Sequence, residues 1–477
     1  MGQEITSDRF TPADFERFRA RLSQETRLLE AWIQRGRFSP GPPTGGFELE
    51  AWLVDARMSP APCNQDFLAH MGPPEATSEL ALFNLELNNP PERLRADGLQ
   101  CLEAGLRRIW DRACATAHEI GAELVSIGIL PTVDDAALSP RNMTPLKRYR
   151  ALNEQVLRMR GGEPLRLDII GREHLQSEHR DVMLESAATS FQIHFKVPAA
   201  RAHWFYNASL AASAIVVGCG ANAPFLFGRD LWDETRIPLF EQSVEVGGYG
   251  DAARGPLRRV IFGTGYLRHS IAECFRENLE HYPVLLPTIF PDTPPEQFAH
   301  LRLHNGTIWR WNRPLVGFDA DGRPHFRIEH RVLPGPTSIR DAIANAALYY
   351  GLAAGLCMEP ECLERRLPFA AARDNFYQAA RLGLDARIQW FDGERRSLRA
   401  WLLGELLDLA AAGLLDLGLN RAQAHAYLDV IRARAATRRT GAHWQRAWVA
   451  RHGRDMAGLT RAYLENQAGQ QPVHQWD

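Results

Sequence analysis

From Gly45 to Asp55 the sequence GGFELEAWLVD alternates apolar and polar residues. Period two predicts a strand, with Phe47, Leu49, Ala51 and Leu53 on one face and Glu48, Glu50 and Trp52 on the other. The two carboxylates would stand about 7 Å apart along it. Repulsion disfavours that arrangement unless a cation lies between them. The same alternation recurs in ALFNLELNNPP, where Phe83, Leu85 and Leu87 oppose Asn84, Glu86 and Asn88. Pro90 and Pro91 are expected to end this second strand. AELVSIGIL predicts a further strand. TSFQIHFKVP sets Phe191, Ile193, Phe195 and Val197 against Gln192, His194 and Lys196. HFRIEHRVLP sets Phe326, Ile328 and Val332 against Arg327, Glu329 and Arg331.

Between these strands the spacing turns helical. Thr11–Arg37 places Phe15, Phe18, Leu22, Leu28, Leu29 and Trp32 at helical intervals, and FSPGPPTGG then breaks the chain. Leu99–Gly121 predicts a long amphipathic helix. Trp204–Gly228 is the most apolar long window, but its Ala, Gly, Asn and Pro content predicts a buried helix and a turn, not a membrane span. After about Pro360 the pattern is helical throughout, and LLDLAAAGLLDLGL is apolar enough for a packed helix. The expected fold class is α+β: a largely antiparallel curved sheet, helices on one face, the active site on the other, and a C-terminal helical region. The expected boundaries are an N-terminal helix and linker (1–45), a catalytic domain (46–360), a helical region packed on it (361–465) and a flexible tail (466–477).

Apolar content of 45% and charged content of 23% are those of a soluble globular chain. A net charge of −2 supplies no field to attract nucleic acid or a membrane surface. The seven cysteines form no CxxC pair, so neither a zinc knuckle nor a disulfide framework is expected. MGQEITSDRF has no apolar core of a secretory signal. Reduced thiols and a cytoplasmic location follow as expectations. No GxxxxGK[ST] loop is present, so nucleotide binding through that motif is excluded. GTGYLRHS and VGGYGDAARG read as ordinary Gly-rich loops.

An antiparallel sheet with one packed and one wet face would gather Glu48, Glu50, Glu86, His194, Glu329 and Arg331 on the wet one. Four carboxylates and an imidazole suit hard divalent cations, Mg²⁺ or, with the imidazole, Mn²⁺. A plain solvated face carrying Glu/Arg cross-strand pairs would give the same pattern.

These motifs together resemble the glutamate–cysteine ligase superfamily, closest to the bacterial carboxylate–amine ligases, whose fold is like that of glutamine synthetase and guanido kinases. The matching elements are the ExE strand FELE, LELNNPP, FQIHFKVP, RIEHRVLPGPTSIRDAIANAALYY and RDNFYQAARLGLDA, in that order. One departure is Gln192, where that branch usually has a histidine. The resemblance implies an ATP-dependent ligase forming an amide bond, with glutamate's γ-carboxyl as the donor, through an acyl phosphate. It implies metal ligands at Glu48, Glu50, Glu86, His194 and Glu329. Glu86 would complete one site, and His194 and Glu329 another beside Glu48. Arg331 would meet the transferring phosphoryl group. Arg148, in TPLKRYRALNEQV, is a candidate for carboxylate or phosphate binding, with Arg302 and Arg310 as looser ones. The implied partners are an amino acid and an amine, and a homodimer is one expected assembly. Two other readings compete: a phosphotransferase of guanido kinase type, and an inactive binding or scaffold relative.

Overall fold

The computed structural model describes residues 4, 5, 7–246, 258–359 and 363–477. Cys362 and most of VGGYGDAARG lie outside them. Seven strands form the main sheet: β1 (Thr44–Val54), β2 (Ala76–Ser78), β3 (Asn84–Arg93), β4 (Glu123–Val125), β5 (Ser190–Val197), β6 (Asn312–Phe318) and β7 (Pro324–Pro334). Their order is β6-β7-β5-β1-β3-β2, with β4 beside β1. Every pairing is antiparallel. The sheet curls into a half-barrel, and the expected α+β class holds.

The helices that matter here are α1 (Pro12–Gln34), α2 (Gly98–Glu119), α3 (Lys147–Met159), α4 (Ala202–Gly220), α5 (Ala299–Gly306), α6 (Ile339–Leu356) and α7 (Phe369–Leu382). After them come α8 (Leu407–Asp416), α9 (Arg421–Thr437), α10 (Gly441–His452) and α11 (Met456–Ala468). The apolar phase of β1, β3, β5 and β7 joins one large core with α1, α2, α4, α6 and α7. Helix α8 approaches α6 closely because Gly413 meets Gly351, where a Cβ would collide with backbone. Helix α4 is buried almost all round. Among the described residues no helix is long and apolar enough to cross a membrane.

Several local expectations change. Pro90 and Pro91 do not end β3: pairing resumes at Gly45↔Glu92 and Thr44↔Arg93 after a register shift. β3 spends an extra residue there, and a bulge tolerates the missing proline N–H. AELVSIGIL shrinks to three paired residues, and Ser126–Leu130 continues as a buried loop. The region after residue 360 also holds a hairpin, Arg387–Gln389 with Arg395–Ser397.

The tail expected at 466–477 is docked. Trp476 packs edge-on against Trp444 and Tyr463, and Trp444 Nε1 donates to the Asp477 carbonyl at 2.8 Å. These rings belong to a second core built on the other face of the sheet. Trp52 of β1 seeds it, stacked on Phe83 and donating to Thr189 Oγ1. The polar face is therefore not wet. Glu50 is 8% exposed, Glu86 1%, Glu329 2% and His194 8%. A plain solvated face would leave these groups in water.

Candidate active site

Register brings the polar phases of six strands into rows. Arg313, Glu329, His194 and Gly46 face one another across β6, β7, β5 and β1. Gln192 pairs with Glu48, and Glu48 with Asn88. Glu50 stands directly opposite Glu86, which faces Thr77. Like charges in that position destabilise a sheet.

The carboxylates fall into two groups. Glu48, His194 and Glu329 bring one ligand atom each within 4.8 Å of one another. Glu50, Glu79 and Glu86 do the same. The five residues expected to share cations fall into these two groups, and Glu79 joins the second.

The first group is set among arginines. Arg313 grips Glu329 with two bonds, Nε to Oε2 at 2.8 Å and Nη2 to Oε1 at 3.0 Å. Arg331 Nη1 donates to Glu329 Oε2 at 2.9 Å. Burial works against the Glu329 charge, but Arg313 and then Arg331 outweigh it and hold the carboxyl at about 2. Burial likewise opposes the Glu48 charge, and His194 and Arg327 override it, holding that carboxyl well below the usual range. His194 Nε2 lies 3.0 Å from Glu48 Oε1, and Arg327 Nε donates to His194 Nδ1 at 3.1 Å.

In the second group, burial raises Glu50, with Arg331 opposing and Glu86 adding to the rise. Glu79 is pushed well above the carboxylate range by burial, then by Glu86 and Glu50. Its Oε1 is buried with no hydrogen-bond partner. Glu185 is driven to about 8 by burial and by Glu50, against Arg331.

Gln192 joins the two groups. Its Nε2 donates to Glu50 Oε1 at 2.7 Å, and its Oε1 accepts from Arg331 Nη1 at 2.8 Å. The Ser190 N–H donates to the other Glu50 oxygen at 2.6 Å. A continuous polar chain thus runs from Arg313 to Glu50.

These donor sets fit hard divalent cations. Three carboxylates at Glu50, Glu79 and Glu86 supply oxygen only, which suits Mg²⁺. The unpartnered Glu79 oxygen is the acceptor such an ion would satisfy. The imidazole in the other group is equally acceptable to Mn²⁺. Glu329 Oε1 accepts one bond and has a second lone pair for a cation.

A cavity of about 260 Å³ opens over this face. Glu48, Gln192, Arg313, Arg327, Glu329 and Arg331 form its polar wall, and Leu152, Phe275, Trp309 and Val316 contribute apolar surface. Arg148 lines it too, donating to Tyr149 Oη and the Ser78 carbonyl. Arg302 lines it from α5. Arg310 does not. It is buried elsewhere with Asn278 and Glu277 and lies over the Tyr282 ring.

The sequence pattern left Glu79, Glu185 and Arg313 without a role and treated Gln192 as a mere departure. Glu79 sits in the turn before β3, where no alternation marks it; its only signal is lying seven residues ahead of Glu86. Arg313 does share a phase with Leu315 in β6, but Pro314 obscures the strand.

The fold has known counterparts. The crystal structure of a glutamate–cysteine ligase from Francisella tularensis in complex with AMP aligns with a TM-score of 0.52 at 11% identity, over 90% of this chain and 89% of that one. A bifunctional glutathione synthetase from Pasteurella multocida aligns with a TM-score of 0.50 at 11% identity, over 93% of this chain and 55% of that one. At such identity the likeness is one of fold. No curated protein matches the chain. The profile of glutamate-cysteine ligase family 2 (GCS2) matches residues 44–465. Spanning nearly the whole sheet and the helical region behind it, that match places the chain in glutamate–cysteine ligase family 2.

Proposed function

We propose that the protein is an ATP-dependent carboxylate–amine ligase that activates a carboxyl group, glutamate's γ-carboxyl first, as an acyl phosphate and passes the acyl group to an amine. The observation that carries this reading is the pair of buried carboxylate groups joined by Arg331 and Gln192. Divalent ions held by Glu48, His194 and Glu329, and by Glu50, Glu79 and Glu86, would neutralise the phosphate oxygens of ATP. A carboxylate approaching a γ-phosphate is anion meeting anion, so positioning and charge neutralisation must supply most of the rate. The surroundings of Arg331 support a role in that neutralisation. Its Nε is buried without a hydrogen-bond partner, while Nη1 is fixed by Glu329 and Gln192. A guanidinium held on one side and unsatisfied on another is preorganised for an oxyanion.

In the first step the substrate carboxylate oxygen bonds to the γ-phosphorus and ADP leaves. In the second the amine nitrogen bonds to the acyl carbon, phosphate departs and the nitrogen loses a proton. Hydroxylamine should intercept the acyl phosphate. Glutamate, MgATP and hydroxylamine are expected to give a hydroxamate with equimolar ADP. Formation of AMP and pyrophosphate would refute the mechanism. A stable phosphorylated product would point to phosphotransfer instead.

A further inference from the structure

One wall of the cavity is a helix: α5 lines it with Ala299, Leu301, Arg302, Leu303 and Asn305. The C-terminal end of α5 is tied to the sheet, where Asn305 Nδ2 donates to the Pro314 carbonyl of β6 at 2.8 Å. Its N-terminal end needs acceptors for free N–H groups. The residue at the N-cap is Phe298, in the left-handed region at φ 52°, with no side-chain acceptor to offer. Glu25 of α1 supplies one. Its Oε2 accepts from the Leu301 N–H, the third of the helix, at 2.8 Å, and its Oε1 lies 2.6 Å from His300 Nδ1. His300 Nε2 accepts from the Phe290 N–H at 3.3 Å, so the ring proton sits on Nδ1 and points at Glu25. Glu25 and His300 are both 1% exposed. Rings frame the contact: Phe18 stands edge-on to His300 and Trp32 edge-on to Phe298, each pair at 5.4 Å. Phe18, Glu25 and Trp32 all lie ahead of residue 44, where the match to the family begins.

We infer that Glu25 is a positioning residue for the cavity: from α1 it caps α5 in place of an N-cap side chain, and so sets where Leu301, Arg302 and Leu303 stand in the wall. Glu25 does not itself line the cavity, so it acts on a ligand only through α5. Two donors, the Leu301 N–H and the His300 Nδ1–H, converge on its two oxygens, which fixes both the height and the rotation of the helix start. A shift of about 1 Å in a wall can cost a bound ligand about a hundredfold. The effect on ligands rests on the ligase reading, whereas the cap does not.

Glu25→Gln is nearly isosteric but turns one acceptor oxygen into an NH₂ donor. That group would face either the Leu301 N–H or the His300 Nδ1–H, and α5 must give way. On the full chain, hydrogen exchange at the α5 amides should quicken by about tenfold. Calorimetry should show the affinity for at least one of MgADP and L-glutamate reduced by about tenfold or more. Glu25→Asp, which keeps both acceptors on a shorter stem, should recover part of both losses. Arg434→Leu is the control, since it breaks a buried ion pair in which α5 takes no part. It should lower Tm and leave both affinities within about twofold, which separates positioning from a general loss of stability. An equal loss of affinity in Arg434→Leu would overturn the inference. So would unchanged exchange in α5, or faster exchange with both affinities intact. A wild-type chain that binds neither ligand would sink the ligase reading, and α5 exchange would still confirm or overturn the cap.

Discussion

Gln192 is uncharged, yet it holds two charges in place. Its amide can point only one way, because Arg331 must face the oxygen and Glu50 the nitrogen. Arg331 is thereby aimed. Replacing it with lysine keeps the charge but cannot keep the bond to Gln192, the bond to Glu329 and an inward N–H together. Arg331→Lys should lower kcat about a hundredfold with little change in MgADP affinity, measured by steady-state kinetics and calorimetry. Full turnover in that variant would reduce Arg331 to a cross-strand ion pair. At this scale the sequence was legible wherever a residue lay on a regular strand. Glu48, Glu50, Glu86, His194 and Glu329 all show in the alternation because period two ties residue number to sheet face. Glu79 comes from a turn, where spacing carries no such information. Whether a polar face is wet or covered depends on segments far away in the chain, such as the one that brings Gln192 to Glu50.

At the scale of elements, α6, α9 and the C-terminal turn meet at one buried carboxylate. Asp341 lies in the first turn of α6 and is 1% exposed. Its carboxylate accepts from Arg434 Nη2 of α9, from the Thr337 and Ser338 hydroxyls, and from the Val473 N–H. Arg434 also donates to the Cys219 carbonyl and to Asn345. Removing one partner of a buried ion pair leaves an uncompensated charge. Arg434→Leu should cost about 3–5 kcal/mol of stability, read from the denaturation midpoint, and an unchanged midpoint would contradict this view of the junction. Sequence reading found the helices here but not their joint. Asp341, Arg434 and Val473 are far apart in the chain, and none stands out in composition or periodicity. The hairpin at 387–397 was missed because three-residue strands are too short for alternation to register.

For the whole molecule, the buried carboxyls make stability depend on pH. Glu185 is raised to about 8 and Glu79 well above its ordinary value. A raised acid contributes stability that is full below its unfolded value of 4.5 and is lost as pH rises through its folded value. Glu329, lowered to about 2, does the reverse: its contribution is present above 4.5 and lost as pH falls. His304 and His330, held neutral at about 4 and about 3, lose their contribution only as pH falls below 6.5. The window from pH 6.5 to about 8 therefore isolates the raised carboxyls. Without added metal, Tm should fall across that window, and Glu185→Gln should flatten the slope. Saturating Mg²⁺ should shrink the fall, because a bound cation favours the ionised forms. A Tm independent of pH and of Mg²⁺ across the window would count against a cation site among these residues.

The second core has a consequence in time. It joins Trp52, near the start of the chain, to Val473 and Trp476. On a ribosome, β1 emerges more than four hundred residues before the last residues of that core. Until residues 473–476 have cleared the exit tunnel, that core lacks Val473 and Trp476. The cavity's walls, from Glu48 to Arg331, would all be made before the segment that completes the second core.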